Sequence, residues 1–277
     1  MSHTVASLLR EGAQQLERVG IDGAARDAKR LLAHAFDVEP VKLVLIDPPI
    51  ADDKVSAFFS LIDCRARRVP VSHLLGQREF WGRMFTVDAN VLDPRPETET
   101  LIEAALNVPF QRILDMGTGT GCILLTLLAE REGAKGVGTD ISEGALQTAR
   151  ENSLAHELVS RAEFLQSDWF EIVKGPFDLI VSNPPYIAAE EMAGLGPELA
   201  YEPRLALTDE GDGLSCYRII AAGAPAHLGA GGWLMVEIGP TQGTAVRVMF
   251  EAAGLINTGI RSDLDGRDRV VVGQKPL

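Results

Sequence analysis

Ile113-Leu114-Asp115-Met116-Gly117-Thr118-Gly119-Thr120-Gly121 decides how this chain is read. The first four residues, mostly apolar, have the length and character of a buried strand. Three glycines at alternate positions follow. Beyond them, residues 123–129 run on without a breaker, as a helix does. Strand, glycine turn and helix in that order make the first half of a parallel βαβ unit. Glycines there let the backbone turn tightly and let a ligand approach it closely. A dinucleotide fingerprint would be G-x-G-x-x-G, but counting from Gly117 its third glycine falls on Cys122. No Gly-Lys-Ser/Thr follows either, so the loop is not a P-loop.

Outward from this stretch the alternation continues. Residues 136–140 read as a strand, 142–152 as a helix, 162–165 and 178–182 as strands. Residues 214–228 read as mostly helix despite Pro225, 232–237 as a strand and 242–253 as a helix. Residues 256–261 and 269–272 form a closing pair about a turn at Asp265-Gly266. This pattern predicts an α/β fold: a Rossmann-like, mostly parallel sheet covered on both faces, with an antiparallel C-terminal edge strand.

The N-terminal quarter has a different texture. Val5, Leu8, Leu9, Leu16 and Val19 recur at helical spacing, as do Ala25, Ala28, Leu31, Leu32, Ala35 and Phe36, and then Val55, Phe58, Phe59, Ile62 and Ala66. Gly20, Asp37, Pro40 and Pro48-Pro49 fall between them as breakers. Residues 1–72 therefore read as a small helical domain, with His34 on or near a helix surface. Residues 73–92, with Phe80, Trp81, Phe85, Val87, Val91 and Leu92 among glycines, read as a β-hairpin linker. Residues 93–277 form the α/β domain, opened by Asp93-Pro94-Arg95-Pro96-Glu97-Thr98-Glu99. There the two glutamates lie in the first turn of a helix that runs to about Leu106. Dipole complementation accounts for Glu97 and Glu99; an active-site role is the alternative.

The 277 residues are 46% hydrophobic and 23% charged, ample for a core. No apolar stretch reaches the roughly 18 residues of a membrane span, and the N-terminus lacks the pattern of a signal peptide. Cys64, Cys122 and Cys216 are scattered and odd in number, as reduced thiols of a cytoplasmic protein are; no metal site is expected. Net charge is −13, and residues 1–75 hold 10 Lys/Arg and 10 Asp/Glu, so the remainder carries all of it. Such a body is poorly matched to a phosphate backbone, and direct nucleic-acid binding is not expected. The densest basic cluster, Arg65, Arg67 and Arg68, reads as a solvated helix end.

The chemistry lies at the ends of the predicted strands. Asn183-Pro184-Pro185-Tyr186 follows the strand 178–182. Two prolines stop the ladder and leave a rigid turn rich in acceptors: the Asn183 side-chain oxygen and the Pro184 carbonyl. Such a turn can hold a planar –NH2 group by both hydrogens while Tyr186 lies against its face. Asp115, Asp140 and Asp168 stand at the ends of three adjacent strands beside the glycine loop. Asp140 can accept from both ribose hydroxyls, or cap the helix that starts near Ser142. Asp168 can accept from an adenine amino group while Trp169 stacks on the ring, or Trp169 can be core. An adenosine-containing ligand other than a dinucleotide fits this set, namely S-adenosylmethionine.

These residues resemble the bacterial peptide chain release factor N5-glutamine methyltransferases, a family of class I S-adenosylmethionine-dependent enzymes. The likeness covers essentially the full length. It includes Glu79-Phe80-Trp81-Gly82, residues 94–99, 114–121, Ser167-Asp168-Trp169-Phe170, 182–187, Tyr201-Glu202-Pro203, Asp212-Gly213-Leu214 and Asp268-Arg269-Val270. The resemblance implies methylation of the glutamine in the Gly-Gly-Gln loop of class I release factors, with S-adenosylhomocysteine as product. By position it places Asp115, Gly117, Thr118, Gly119, Thr120, Gly121, Asp140, Asp168, Trp169 and Asn183 at the cofactor, and Asn183, Pro184, Pro185 and Tyr186 at the glutamine. Methylation of a ribosomal-protein glutamine, or of adenine N6, is the alternative. Asp93 departs from the family's usual aliphatic residue and is expected at the rim of the substrate pocket. Thr120 replaces a common serine, a mild change.

Overall fold

The computed structural model describes residues 3–277; the signal-peptide reading of Met1 and Ser2 lies outside the described residues. The chain divides into two compact units. One runs through Gln77 and includes Gly196–Tyr201; the other comprises Arg78–Leu195 and Glu202–Leu277.

The first unit holds α1 (Val5–Arg18), α2 (Ala24–Phe36), a 3-10 turn at Pro40–Leu45, α3 (Asp52–Ala66) and α4 (Val71–Leu75). A reciprocal capping box starts α1: the Thr4 hydroxyl accepts from the Ser7 amide at 3.1 Å, and the Ser7 hydroxyl accepts from the Thr4 amide at 2.9 Å. Leu8, Leu16, Leu31, Leu32, Phe58 and Ile62 close the core. A Cβ on Gly12 would stand 2.6 Å from the Phe58 ring, so glycine is what lets α1 and α3 approach. Arg65 does not lie on a solvated helix end as its sequence context suggests. It is buried, and its Nε donates to Asp27 at 2.9 Å while Nη1 donates to Glu198 at 3.2 Å. Asp27 lies on the buried face of α2 and requires a cation, which outweighs the solvation Arg65 would have on a helix end. His34 is exposed on α2.

A hairpin follows, β1 (Gln77–Phe80) and β2 (Arg83–Thr86), which belongs to the second unit from Arg78 onward. Its two-residue turn, Trp81-Gly82, takes φ of 50° and 68°, the left-handed pair that a tight hairpin demands. Then follow α5 (Glu99–Leu106), β3 (Arg112–Met116), α6 (Cys122–Glu130), β4 (Lys135–Asp140), α7 (Glu143–Ala155), β5 (Ala162–Gln166), β6 (Phe177–Ser182), α8 (Arg204–Leu207), α9 (Ser215–His227), β7 (Leu228–Glu237), α10 (Gly243–Ala252), β8 (Ile256–Ser262) and β9 (Asp268–Gln274). The sheet order is β5-β4-β3-β6-β7-β9-β8. Pairs from β5 to β7 are parallel, and β9 pairs antiparallel with both β7 and β8, so the closing pair makes the antiparallel margin with β9 inside it.

Alternation along the strands sorts the core. Ile113, Leu179, Val181, Met235, Val270 and Val272 face one cluster with α5 and α6. Leu114, Ile180, Leu234, Val236 and Val271 face the other with α9 and α10. The chain runs outward from β3 to β5, then returns to place β6 on the other side of β3. That reversal opens a crevice at the carboxyl ends of β3 and β6, where ligands of open α/β sheets bind.

Candidate active site

A cavity of about 360 Å³ occupies that crevice, a size suited to a small-molecule ligand. Its floor is the loop after β3. Gly117 and Gly119 take φ of 67° and 53°, and a Cβ on either would meet nothing within 4 Å, so backbone there is bare toward open space. Gly121 takes φ of 78° and differs, because its Cβ would stand 3.1 Å from Leu125 and 3.3 Å from Ala149. It serves packing as well as conformation.

Three acids anchor the loop in different ways. Asp115 is fully buried; its Oδ2 accepts from the Thr118 hydroxyl at 2.6 Å, while its Oδ1 has no partner. Burial pushes its carboxyl up to about 7. Asp140 accepts from the Gly119 amide at 3.0 Å and the Ser142 amide at 2.9 Å, one bond per oxygen. Each oxygen keeps a further lone pair. The cap of α7 is Ser142, whose side chain accepts from the Ala145 amide, so Asp140 is left facing the cavity. Asp168 and Trp169 also line it, with Trp169 at φ of 48° and packed at its other edge on the core.

The turn after β6 closes the far side. Ser182 Oγ donates to the Met116 carbonyl at 2.7 Å, tying β6 to β3. Gln242 Nε2 donates to the Tyr186 carbonyl at 2.9 Å and the Gly213 carbonyl at 3.1 Å. Gly213 is obligatory, since a Cβ there would lie 2.4 Å from the Tyr186 carbonyl. Between these clamps Asn183 donates from Nδ2 to Thr98 Oγ1 at 3.3 Å.

Of the residues singled out in the sequence, Gly117, Thr118, Gly119, Thr120, Asp140, Asp168, Trp169, Asn183 and Pro185 line the cavity. Asp115 and Gly121 lie behind the loop, and Pro184 is buried within its turn. Tyr186 is packed against the core. Its hydroxyl is pushed up to about 12 by burial, with the Glu237 charge adding to it. Glu99 accepts from the Trp81 amide at 3.0 Å and so fastens the hairpin to α5, while Glu97 is exposed. Asp93 is not at the rim: it is buried, 3.7 Å from both Arg78 and Arg95. Two neighbouring arginines hold its charge inside.

Several lining residues carry no signal in the sequence. Thr98 reaches the cavity from the 3-10 turn Pro96–Thr98. Asp209 orders the loop before α9 by accepting from the Gly211, Gly213 and Ser215 amides and the Ser215 hydroxyl. Leu205 and Ile219 offer exposed apolar edges. Asn152, fully buried in α7, bonds the Thr86 backbone and donates to the Thr120 carbonyl at 2.9 Å, which couples hairpin and loop. Among the described residues no group of His, Cys, Asp and Glu is placed to hold a metal ion, and no helix is long and apolar enough to cross a membrane.

The methyltransferase small-domain family matches residues 92–214, and the PrmC N-terminal domain family matches residues 7–76. A release factor glutamine methyltransferase of Cereibacter sphaeroides is 54% identical over 98% of both chains. The chain belongs to the release factor glutamine methyltransferase family. Another such relative, from Rhodospirillum rubrum, is 44% identical over 97% of this chain and 84% of its own. A solved methyltransferase of Pyrococcus furiosus shares the fold at 18% identity, with a TM-score of 0.55 over 78% of this chain and 100% of its own. The mostly parallel sheet of this release factor glutamine methyltransferase family member matches the class I methyltransferase frame, and the crevice between β3 and β6 is its candidate site.

Proposed function

We propose that this chain transfers the methyl group of S-adenosylmethionine to the side-chain nitrogen of the glutamine in the Gly-Gly-Gln loop of class I peptide chain release factors, leaving S-adenosylhomocysteine. The observation that carries the reading is the Asn183 side chain, which lines the cavity at the end of β6 while its Nδ2 donates to Thr98 at 3.3 Å.

The cradle suits the cofactor. Bare backbone at Gly117 and Gly119 admits close approach, and Asp140 keeps free lone pairs for two hydroxyls. Asp168 and Trp169 would hold the adenine, and the loop 117–121 the amino-acid end. When bound, the cofactor supplies an electrophilic sulfonium methyl.

What the chain's own residues do is position the nucleophile. An amide nitrogen is weak because its lone pair is delocalised into the carbonyl. Asn183 Oδ1 and the Pro184 carbonyl each accept one of its hydrogens, which holds the nitrogen in line with the methyl and favours pyramidalisation. Orientation of this kind is worth on the order of 7–11 kcal/mol. The same acceptors stabilise positive charge as it develops on nitrogen. The proton leaves after transfer, so no strong base is needed beforehand. The helical unit, which runs through Gln77, grips the protein substrate.

Peptide mapping of a release factor incubated with the enzyme and cofactor tests the reading. One added methyl on the loop glutamine supports it; a methyl found elsewhere, or none, refutes it.

A further inference from the structure

Between the turn 183–186 and α9 the chain makes a long excursion, residues 187–212, whose two ends meet on one side chain. Gln242 Nε2 donates to the Tyr186 carbonyl at 2.9 Å, where the excursion departs, and to the Gly213 carbonyl at 3.1 Å, where it returns. Gln242 Oε1 accepts from the Gly239 amide at 2.9 Å. All three partners are backbone groups of fixed polarity, so the amide has only one way round. Both of its hydrogens are committed.

The side chain starts from a fixed point. Gln242 is the N-cap of α10; its own amide donates to the Gly239 carbonyl at 3.0 Å, and its carbonyl accepts from the Val246 amide at 3.0 Å. Gly213 is buried at φ of 72°, and a Cβ there would stand 2.4 Å from the Tyr186 carbonyl and 3.1 Å from Gln242 Nε2. Glycine is what lets the two carbonyls converge on one –NH2. Beyond this neck the limbs of the excursion hold each other, with the Ile187 amide donating to the Leu207 carbonyl at 3.0 Å and the Ala189 amide to the Gly211 carbonyl at 2.9 Å. Those bonds begin after the turn 183–186. The turn itself is tied upstream by Ser182 to the Met116 carbonyl and downstream by Gln242. Asn183 and Pro184, the two acceptors of the proposed reaction, lie between these anchors.

We infer that Gln242 is a positioning residue for methyl transfer: by closing the neck of the excursion it fixes the downstream end of the turn that carries Asn183 and Pro184. The inference rests on the proposed methyl transfer to a glutamine amide. Gln242 lies behind the turn and does not line the cavity. Without its donors the turn keeps the Ser182 anchor and drifts at the other end. A displacement on the order of 1 Å at a reacting pair costs about 100-fold in rate. The glycine loop and Asp140 are built on other strands, so the cofactor cradle stays as it is.

Three variants and one spectrum test it. Gln242→Met keeps the length of the side chain and removes both donors; Gln242→Glu removes them while keeping an acceptor for the Gly239 amide. In each, kcat on a release factor is expected to fall about 10- to 100-fold, with cofactor affinity little changed. Tyr217→Phe is the control. The Tyr217 hydroxyl donates to the Glu237 carbonyl at 2.8 Å and lies 3.4 Å from Gln242 Oε1, so its loss disturbs the same neighbourhood but spares both carbonyl bonds. That variant is expected to unfold at lower urea with near-wild-type kcat. In an Asn183→Ala background, Gln242→Met is expected to cause less than its full loss, because the acceptor it positions is gone. Independently of any substrate, Tyr186-Ile187 is the one Tyr-Ile pair in the sequence, so labelling tyrosine carbonyls with 13C and isoleucine amides with 15N isolates the Tyr186 carbonyl resonance. It is expected to shift in both Gln242 variants and to stay in Tyr217→Phe. Unchanged kcat in the Gln242 variants, an equal kcat loss in Tyr217→Phe, cofactor affinity falling in step with kcat, an additive loss in the double variant, or an unmoved carbonyl resonance would each overturn the inference. If wild-type enzyme fails to methylate the release factor, the proposed function falls, and the resonance still decides whether Gln242 holds the turn.

Discussion

Asn183 and Thr98 stand 85 positions apart in the chain, yet the amide nitrogen of one lies 3.3 Å from the hydroxyl oxygen of the other. The contact joins a turn at the end of a central strand to the short 3-10 turn that opens the α/β domain. It ties the Asn183 side chain at the edge of the cavity to the start of the α/β domain, and the proposed chemistry depends on that side chain.

Asn183→Ala removes the side-chain acceptor while leaving the glycine loop and Asp140 untouched. Turnover is expected to drop by about 100-fold or more, the loss seen when one preorganised polar group at a reacting centre is deleted. Cofactor affinity, measured by calorimetry, should change only modestly. A variant with near-normal kcat would show that the nitrogen is not held this way.

The glycine loop predicts an ordering of stabilities. Gly119→Ala places a side chain at φ of 53° but into open space, and should cost about 1–2 kcal/mol, the penalty of left-handed backbone. Gly121→Ala adds contacts of 3.1 Å and 3.3 Å to the same kind of strain and should cost more. Urea midpoints decide this, and equal midpoints would contradict it. Gly119→Ala should also weaken cofactor binding, since its new Cβ projects into the cradle.

Ionisation of Asp115 makes stability depend on pH. Burial raises its folded-state carboxyl from 3.8 to about 7, so between those values the folded protein holds a proton that the unfolded chain has lost. Stability contributed this way is present at low pH and disappears as pH rises through about 7. Between pH 6 and pH 8 the loss should be about 1.4 kcal/mol. Asp115→Asn should flatten that part of the profile, and an unchanged slope in denaturation midpoints would count against it.

In the helical unit, Asp27→Ala leaves the Arg65 guanidinium buried with Glu198 and the Val69 carbonyl beside it. Loss of one partner of a buried pair costs about 3–5 kcal/mol; the surviving glutamate should hold the loss to about 2–3 kcal/mol. Arg65 and Asp27 replaced together by apolar residues should recover much of it, and failure to do so would show that the pair is not the source.

Val41, Val44 and Leu45 are 73%, 84% and 74% exposed on the turn Pro40–Leu45, an apolar cluster that suits a protein partner. Val44→Asp is expected to raise KM for a release factor about tenfold, as loss of an anchor residue at an interface does, with kcat held. An unchanged KM would place the docking surface elsewhere.

The strand-loop-helix at 113–129 was legible because strand burial, glycine spacing and helix length are local properties of adjacent residues. So were Asp140, Asp168 and Asn183, each at a strand's carboxyl end. What the sequence concealed are contacts between distant segments. Nothing near Thr98 says that it meets Asn183, nothing near Gln242 says that it holds Tyr186, and nothing near Arg65 says that Asp27 needs it. Glu99 looked like a helix-dipole residue, and only the fold brings the Trp81 amide to it. The segment 187–214 carries no periodicity, and its order comes from Asp209 and from backbone bonds that no pattern of apolar residues encodes.

The most direct test is labelled methyl transfer to a class I release factor, run beside the same factor with its Gly-Gly-Gln glutamine replaced by alanine. Label on the first and none on the second is the predicted result. Equal label on both, or label on neither while cofactor binds, would contradict the account.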